Sequence, residues 1–309
     1  LDEIELSEFL AKQHINVSES SVGRFIMQTG GLKPYHPITP VVELSKEDVN
    51  DILTQRFKLK PNSTSKQILN FISKEVSNHL SEAEVSITGA NFLLSDIGGV
   101  VLSENEGNII KSMALSKVQI AVVGIDKILP SIDDLSVLFP LLSSHATGQA
   151  MSAYNTITTG TANENGSQKF YVILLDNGRS NLLSYEKQRQ AMSCIHCGAC
   201  INVCPIYKNI GGYSYGSTYI GPIGSVVTPI YKGMKEFGHL STACSLCGLC
   251  SKVCPVKIPI DDLIIANRQI MVSDEIGNAK IEFFSISWPS FAAQGKKWIY
   301  FRCLSKTPY

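Results

Sequence analysis

The sequence predicts an α/β domain over residues 1–180, a mainly α-helical domain over 181–272 and an extension over 273–309. Three observations predict this. Short apolar runs of strand length are mixed with amphipathic helical segments up to about Ser180. Beyond that point β-branched runs become rare. There, one cysteine pattern, C-x-x-C-x-x-C-x-x-x-C-P, is written twice, as CIHCGACINVCP (194–205) and CSLCGLCSKVCP (244–255).

In chain order, LDEIELSEFLAKQ (1–13) has helical spacing through Ile4, Leu6, Phe9 and Leu10. HINVSES (14–20) and GRFIMQTGG (23–31) read as short strands. LSKEDVNDILTQRF (44–57) reads as a helix, with Leu44 or Ser45 before an acidic first turn. Thr64 and Gln67 form a capping box for a helix whose apolar face holds Ile68, Leu69, Ile72, Val76 and Leu80. Strands follow at VSITGANFLLS (85–95), GGVVLS (98–103), NIIKS (108–112) and QIAVVG (119–124). The turn ENEGN (104–108) joins two of them as a hairpin, with Gly107 at positive φ. QIAVVG reads as a strand buried on both faces, as parallel sheets prefer. Ser131 and Asp134 cap a helix whose apolar face holds Ile132, Leu135, Leu138, Phe139 and Leu142, and Pro140 should kink it. KFYVILLDNGRS (169–180) reads as a last buried strand ending in the Asn177-Gly178 turn. NLLSYEKQRQAMS (181–193) is a helix leading into the first cysteines. Residues 206–240 read mostly as loop, with one helix near PIYKGMKEF (229–237), and IPIDDLIIANRQIMV (258–272) is a last helix.

Composition excludes several classes. Net charge is zero, only 17% of residues are charged and no Lys/Arg run is present, which argues against nucleic-acid binding. Runs such as IAVV and YVILL are far shorter than the roughly 20 residues that span a bilayer, so no transmembrane segment is expected. No signal peptide opens the chain, and its first residue is Leu1, so the first domain is expected to be N-terminally incomplete. Eight of the nine cysteines fall in the two motifs. Clustered thiols without export signals indicate metal ligands in a reducing compartment, hence a cytoplasmic protein that reaches a membrane only through partners. Cys303 stands apart and reads as an ordinary thiol.

Within each motif the first three thiols can wrap one cuboidal cluster from a short loop. The fourth begins the next segment and, in two-cluster ferredoxins of this spacing, ligates the other cluster. The expected cofactors are therefore two [4Fe–4S] clusters. One is assigned to Cys194, Cys197, Cys200 and Cys254, the other to Cys244, Cys247, Cys250 and Cys204. Gly198 and Gly248 stand where a tight loop needs φ > 0. Pro205 and Pro255 set the exit direction. Structural zinc is the competing reading, but zinc usually takes two C-x-x-C pairs. His196, between two ligands, either tunes a potential, passes a proton or simply fills the loop. Cysteine fills every coordination position in this reading, which fits electron transfer better than substrate chemistry.

No G-x-G-x-x-G or Walker A sequence is present. TGANFLLSDIGGVVLSENEGN (88–108), VQIAVVGIDKILPSIDDLSVLFPLL (118–142) and VILLDNGRS (172–180) resemble the LUD domain of lactate-utilization proteins. With the cysteine motifs and GGYSYGSTYIGPIGSVVTPIYKG (211–233), the chain from Val22 to Arg268 resembles the LutB/LldF family of iron–sulfur proteins. The long stretch between the motifs resembles the α-helical ferredoxin modules of respiratory iron–sulfur proteins. The resemblance implies a NagB/RpiA/CoA-transferase-like α/β fold ahead of the ferredoxin domain. It also implies a part in oxidising L-lactate to pyruvate. The partners it implies are two further lactate-utilization proteins, one rich in cysteine and one a second LUD protein, together with an unidentified electron acceptor. Where that family carries a Gly-Pro-Arg turn, this chain reads TTGTANENG (158–166).

By analogy with CoA-transferase folds, Glu104 and Glu106 are candidate catalytic carboxylates, with a polar turn as the competing reading. Thr88, Gly89, Asn91, Asp96 and Asn108 are candidates for a substrate cleft at the carboxyl edge of the sheet. Asp176, Asn177 and Arg179 are expected to close a turn or contact the ferredoxin module. Two other functions compete: a self-contained oxidoreductase acting on a small carboxylate or acyl substrate in the LUD cleft, and a non-catalytic iron–sulfur scaffold.

Overall fold

The computed structural model describes residues 1–36, 38–160 and 169–274. Cys303, nearly all of the 273–309 extension and most of the TTGTANENG stretch lie outside the described residues.

The chain opens with α1 (Leu6–Lys12), α2 (Val22–Thr29), α3 (Lys46–Phe57) and α4 (Ser65–Glu82). Phe25 and Ile26 of α2 pack with Leu53 of α3 and with Ile68, Ile72 and Val76 of α4. Residues 23–31 are thus not a strand. Ser21 accepts a hydrogen bond from the Arg24 amide at 3.4 Å and starts a helix whose apolar face closes this layer. The HINVSES stretch forms neither strand nor helix. Ser45 caps α3 through a capping box with Asp48, and Thr64 caps α4 through one with Gln67. Thr64→Ala is expected to cost about 1 kcal/mol in urea denaturation, the usual loss for such a cap.

The strands form two small sheets. β1 (Val85–Gly89), β4 (Val118–Gly124) and β7 (Lys169–Leu175) make a parallel sheet with β4 in the middle. β2 (Phe92–Leu94), β3 (Gly99–Glu104), β5 (Ile128–Leu129) and β6 (Tyr154–Thr158) make the second, in the order β5-β2-β3-β6. The single run VSITGANFLLS therefore divides between sheets. The Ala90 amide still bonds to Val122 of β4, whereas the Asn91 amide bonds to Val101 of β3. β4 is buried at Gln119, Ala121, Val122 and Val123, as its apolar run predicts. β7 is an edge strand instead of a buried one, with Tyr171 50% and Leu174 52% exposed.

NIIKS is not a strand either; it opens α5 (Asn108–Leu115). Gly107 does take positive φ, at 70°, but as the residue before a helix. Both oxygens of Glu104 accept first-turn amides, from Ile109 at 2.9 Å and Ile110 at 3.0 Å. The unsatisfied amides of a helix start are thereby paired, which favours a helix over a hairpin return. α6 (Leu135–Ala146) follows the capping box of Ser131 and Asp134 and carries Pro140 inside it.

The remainder is helical: α7 (Arg179–Ser184), α8 (Ala199–Val203), α9 (Pro205–Ile210), α10 (Gly221–Lys232), α11 (Met234–Phe237), α12 (His239–Thr242), α13 (Leu249–Val253) and α14 (Ile260–Ser273). Residues 206–240 hold far more helix than their Gly and Pro content predicts. Pro222 sits in the first turn of α10, where proline is tolerated. Gly224 lets α10 lie against the Tyr219 carbonyl, where a Cβ would collide. α10 is buried from Gly221 to Ile230 and shares a core with Leu182, Ile201, Leu263 and Ile264. A second core joins the two parts of the chain. Phe92, Leu94 and Val101 of the strands and Leu135 and Leu142 of α6 pack with Ile195, Cys197 and Ala199 of the first motif.

Candidate functional site

The two cysteine motifs fold alike. Cys194 and Cys244 each begin a loop in which the second following residue, His196 or Leu246, lies in the left-handed region at φ 56° or 55°. That conformation is uncommon for leucine. It turns the His196 amide onto Cys194 Sγ and the Leu246 amide onto Cys244 Sγ, both at 3.4 Å. Gly198 and Gly248 follow at φ 75° and 73°, the positive values their position predicts, and precede α8 and α13. The fourth cysteines also accept amides, Cys204 Sγ from Tyr207 at 3.5 Å and Cys254 Sγ from Ile258 at 3.4 Å. Pro205 is the first residue of α9.

Cys194, Cys197 and Cys200 of the first motif and Cys254 of the second line one cavity of about 220 Å³. Burial pushes the Cys194 thiol up to about 11, and neighbouring Cys197 and Cys254 add to the rise. Burial likewise raises Cys200 and Cys197. On the other side, burial raises the Cys244 thiol, with Cys204 and Cys247 near enough to add to it. Burial also pushes Cys250 up to about 11, with Cys244 nearby. Tyr215, 4% exposed, lies within electrostatic reach of Cys204, Cys244 and Cys200. Two four-cysteine motifs with amides aimed at the sulfurs of Cys194, Cys204, Cys244 and Cys254 suit iron–sulfur ligation.

A chain of buried charges forms one side of the first group. Arg179 Nε donates to Asp126 at 2.6 Å, Nη1 to Glu3 at 2.8 Å and Nη2 to the Tyr219 hydroxyl at 2.8 Å. Tyr219 in turn donates to Glu3. Asp126 also holds Lys127, whose ammonium donates to the Cys194 carbonyl at 2.6 Å. Burial alone would raise both carboxyls, but these partners hold Glu3 and Asp126 below the usual carboxylate range. His196 is solvent-exposed on the cavity wall, beside the Tyr219 ring at 5.5 Å. Asn177 and Gly178 close the turn after β7, at φ 42° and 89°. Arg179 meets the cysteine-bearing part through Tyr219 and the Tyr231 ring, 5.7 Å away.

The cleft candidates do not form one constellation. Thr88 accepts from Gln119 at 2.8 Å inside the parallel sheet. Asn91 accepts from the Ser103 amide, Asp96 from the Ile132 amide, and Asn108 donates to Ser20. Gly89 ends β1. Glu104 caps α5, and Glu106 accepts the Val22 amide at 2.9 Å at the start of α2. Asp126, Lys127, Glu3 and Tyr219 were not legible as site residues in the sequence. The one available signal was the charged pair Asp126-Lys127 placed directly after the buried run of β4.

An α/β part whose sheet packs onto a helical module with two groups of four cysteines defines an iron–sulfur protein with an added α/β domain. Residues 190–258 match the 4Fe-4S dicluster domain, and residues 5–175 match the LUD domain. The chain belongs to the LUD domain family. It is 37% identical over 276 residues to proteins named lactate utilization protein B from Bacillus thuringiensis (strain Al Hakam), Bacillus cereus (strain AH187) and Bacillus anthracis (strain CDC 684 / NRRL 3495). Each alignment covers 89% of this chain and 58% of the relative, so the chain spans little more than half the length of these relatives. A DUF162 family protein from Deinococcus radiodurans is similar over 32% of this chain and 57% of its own, at 19% identity and a TM-score of 0.25. That likeness is too slight to carry an argument. Among the described residues no helix is long and apolar enough to cross a membrane.

Proposed function

We propose that the chain is the electron-transferring iron–sulfur component of a complex that oxidises L-lactate to pyruvate. The observation that carries the proposal is the shared cavity, in which Cys254 joins Cys194, Cys197 and Cys200. These four residues would hold one [4Fe–4S] cluster; Cys244, Cys247, Cys250 and Cys204 would hold the other. The clusters supply one-electron transfer. The chain's own groups would orient and tune them: left-handed turns aim amides at Cys194 and Cys244, and apolar cores pack against Cys197, Cys200, Cys250 and Cys254. Raised thiols mean that loading the sites releases protons.

Lactate oxidation removes two electrons and two protons. That step is ordinarily begun by a flavin or nicotinamide, and the chain carries no dinucleotide fingerprint. The two-electron entry is therefore assigned to partner proteins, one rich in cysteine and one with a LUD domain of its own, in keeping with the lactate-utilization name of the relatives. The reading that the LUD part is an enzyme by itself has less support, because Glu104 and Glu106 are engaged in capping helices. The clustered free thiols favour a reducing compartment.

Anaerobic purification of the full chain should yield about eight iron and eight sulfide per chain, reducible by dithionite. Zinc in place of iron would overturn the proposal. Lactate turnover by the isolated chain with an artificial acceptor would replace the electron-transfer reading with the enzyme reading.

A further inference from the structure

Each cysteine motif has a cation on the carbonyl of its first cysteine. Arg268 Nη2 donates to the Cys244 carbonyl at 2.6 Å, and Lys127 Nζ donates to the Cys194 carbonyl at 2.6 Å. The two cations differ in origin. Arg268 stands on α14, within the cysteine-bearing part, and also binds the carbonyls of Ser241 and Thr242. Lys127 belongs to the LUD part. It follows β4, the central strand of the parallel sheet, and is 8% exposed. The sequence repeat thus has a matching repeat of charge, half of which comes from another domain.

The placement of Lys127 is rigid. Asp126 holds the ammonium and is itself fixed by Arg179. The loop that receives it is embedded in the LUD core through Ile195, Cys197 and Ala199. Of the buried charges in this network, Lys127 is the one that bonds to the cysteine loop itself.

We propose that Lys127 sets the reduction potential of the cluster on Cys194, Cys197, Cys200 and Cys254, as Arg268 does for the other cluster. The proposal rests on the ligand assignment above. Reduction adds one negative charge to a cluster. A fixed cation nearby stabilises the reduced form and raises the potential, and burial spares that interaction from salt screening. The LUD part thereby supplies a charge that makes its own neighbouring cluster easier to reduce. Lys127 is a positioning residue and touches no substrate.

The test is a redox titration of the full, iron-loaded chain followed by electron paramagnetic resonance, with iron analysis on each sample. Lys127→Gln should lower one midpoint and leave the other in place, at unchanged iron content. Arg268→Gln should lower the other midpoint. Lys127→Arg, which keeps the charge, should restore the wild-type value. Unmoved midpoints in Lys127→Gln, or equal shifts of both, would overturn the proposal. If Lys127→Gln lost a cluster that Lys127→Arg retained, Lys127 would belong to cluster assembly and the tuning role would fall. Failure of the ligand assignment would look different, since the iron content of paired cysteine variants, not the midpoints of Lys127→Gln, would then depart from expectation.

Discussion

A chain carrying Cys194→Ala and Cys254→Ala together is expected to keep one cluster, about four iron per chain. Cys194→Ala with Cys204→Ala is expected to lose both. The reason is the cavity. Cys254 lines it with Cys194, so under the proposed assignment the first pair removes two ligands from one cluster and none from the other. Cys204 lies instead on the side of Cys244, and the second pair therefore takes one ligand from each cluster. A motif that kept all four of its own cysteines would give the opposite result: four iron after removing 194 and 204, and almost none after removing 194 and 254. Alanine is chosen over serine because a serine oxygen can replace a thiolate. Cys254 sits in the core of the helical part and half-buried Cys194 packs against it, so both double variants lose some packing. Iron content and its pattern across the two variants, not stability alone, decide the matter.

Much of this site was legible because the ligand grammar is local. The spacing of Cys194, Cys197 and Cys200 fixes a short loop, and the repeat at Cys244 means that one loop describes both. The capping boxes at Ser45 and Thr64 were legible for the same reason, since cap and partner lie three residues apart. The errors arose where tertiary partners decide. GRFIMQT suits a strand or a helix; the apolar face of α4 beside it selects the helix. NIIK reads as a strand until Glu104 supplies the two acceptors that a helix start needs. α10 has two prolines and two glycines and reads as loop, yet its small residues let it lie against the Tyr219 carbonyl in the middle of a core. β7 is apolar enough for a sheet centre but takes the edge. The charged network was least legible. Glu3, Asp126, Arg179 and Tyr219 are far apart in sequence, and no periodicity links them.

That network carries the largest stability effect expected outside the cysteines. Arg179→Met should destabilise the chain by about 3–5 kcal/mol near neutral pH, the range for breaking a buried ion pair from one side. Arg179, Glu3 and Asp126 have side chains only 5%, 8% and 4% exposed. Removing the guanidinium leaves the Glu3 carboxylate without its cation, with only the neutral donors Tyr219 and Asn177, and leaves Asp126 to Lys127 alone. It also breaks the bond to Tyr219 that ties the two parts of the chain together. The pH dependence supplies a second signature. In the wild type both carboxyls titrate below their ordinary values of 4.5 and 3.8. The stability they contribute is therefore complete above those values and is lost as pH falls through the depressed ones. In Arg179→Met burial is no longer outweighed at Glu3, and its folded value rises above the ordinary one. The cost of the substitution should then shrink on acidification, because a protonated Glu3 no longer needs its partner. Urea denaturation at about pH 7.5 and about pH 5 reads both effects in one series. A loss below about 1 kcal/mol at the higher pH, the value of an exposed pair, would mean that the network is solvated and does not brace the wall beside Cys194.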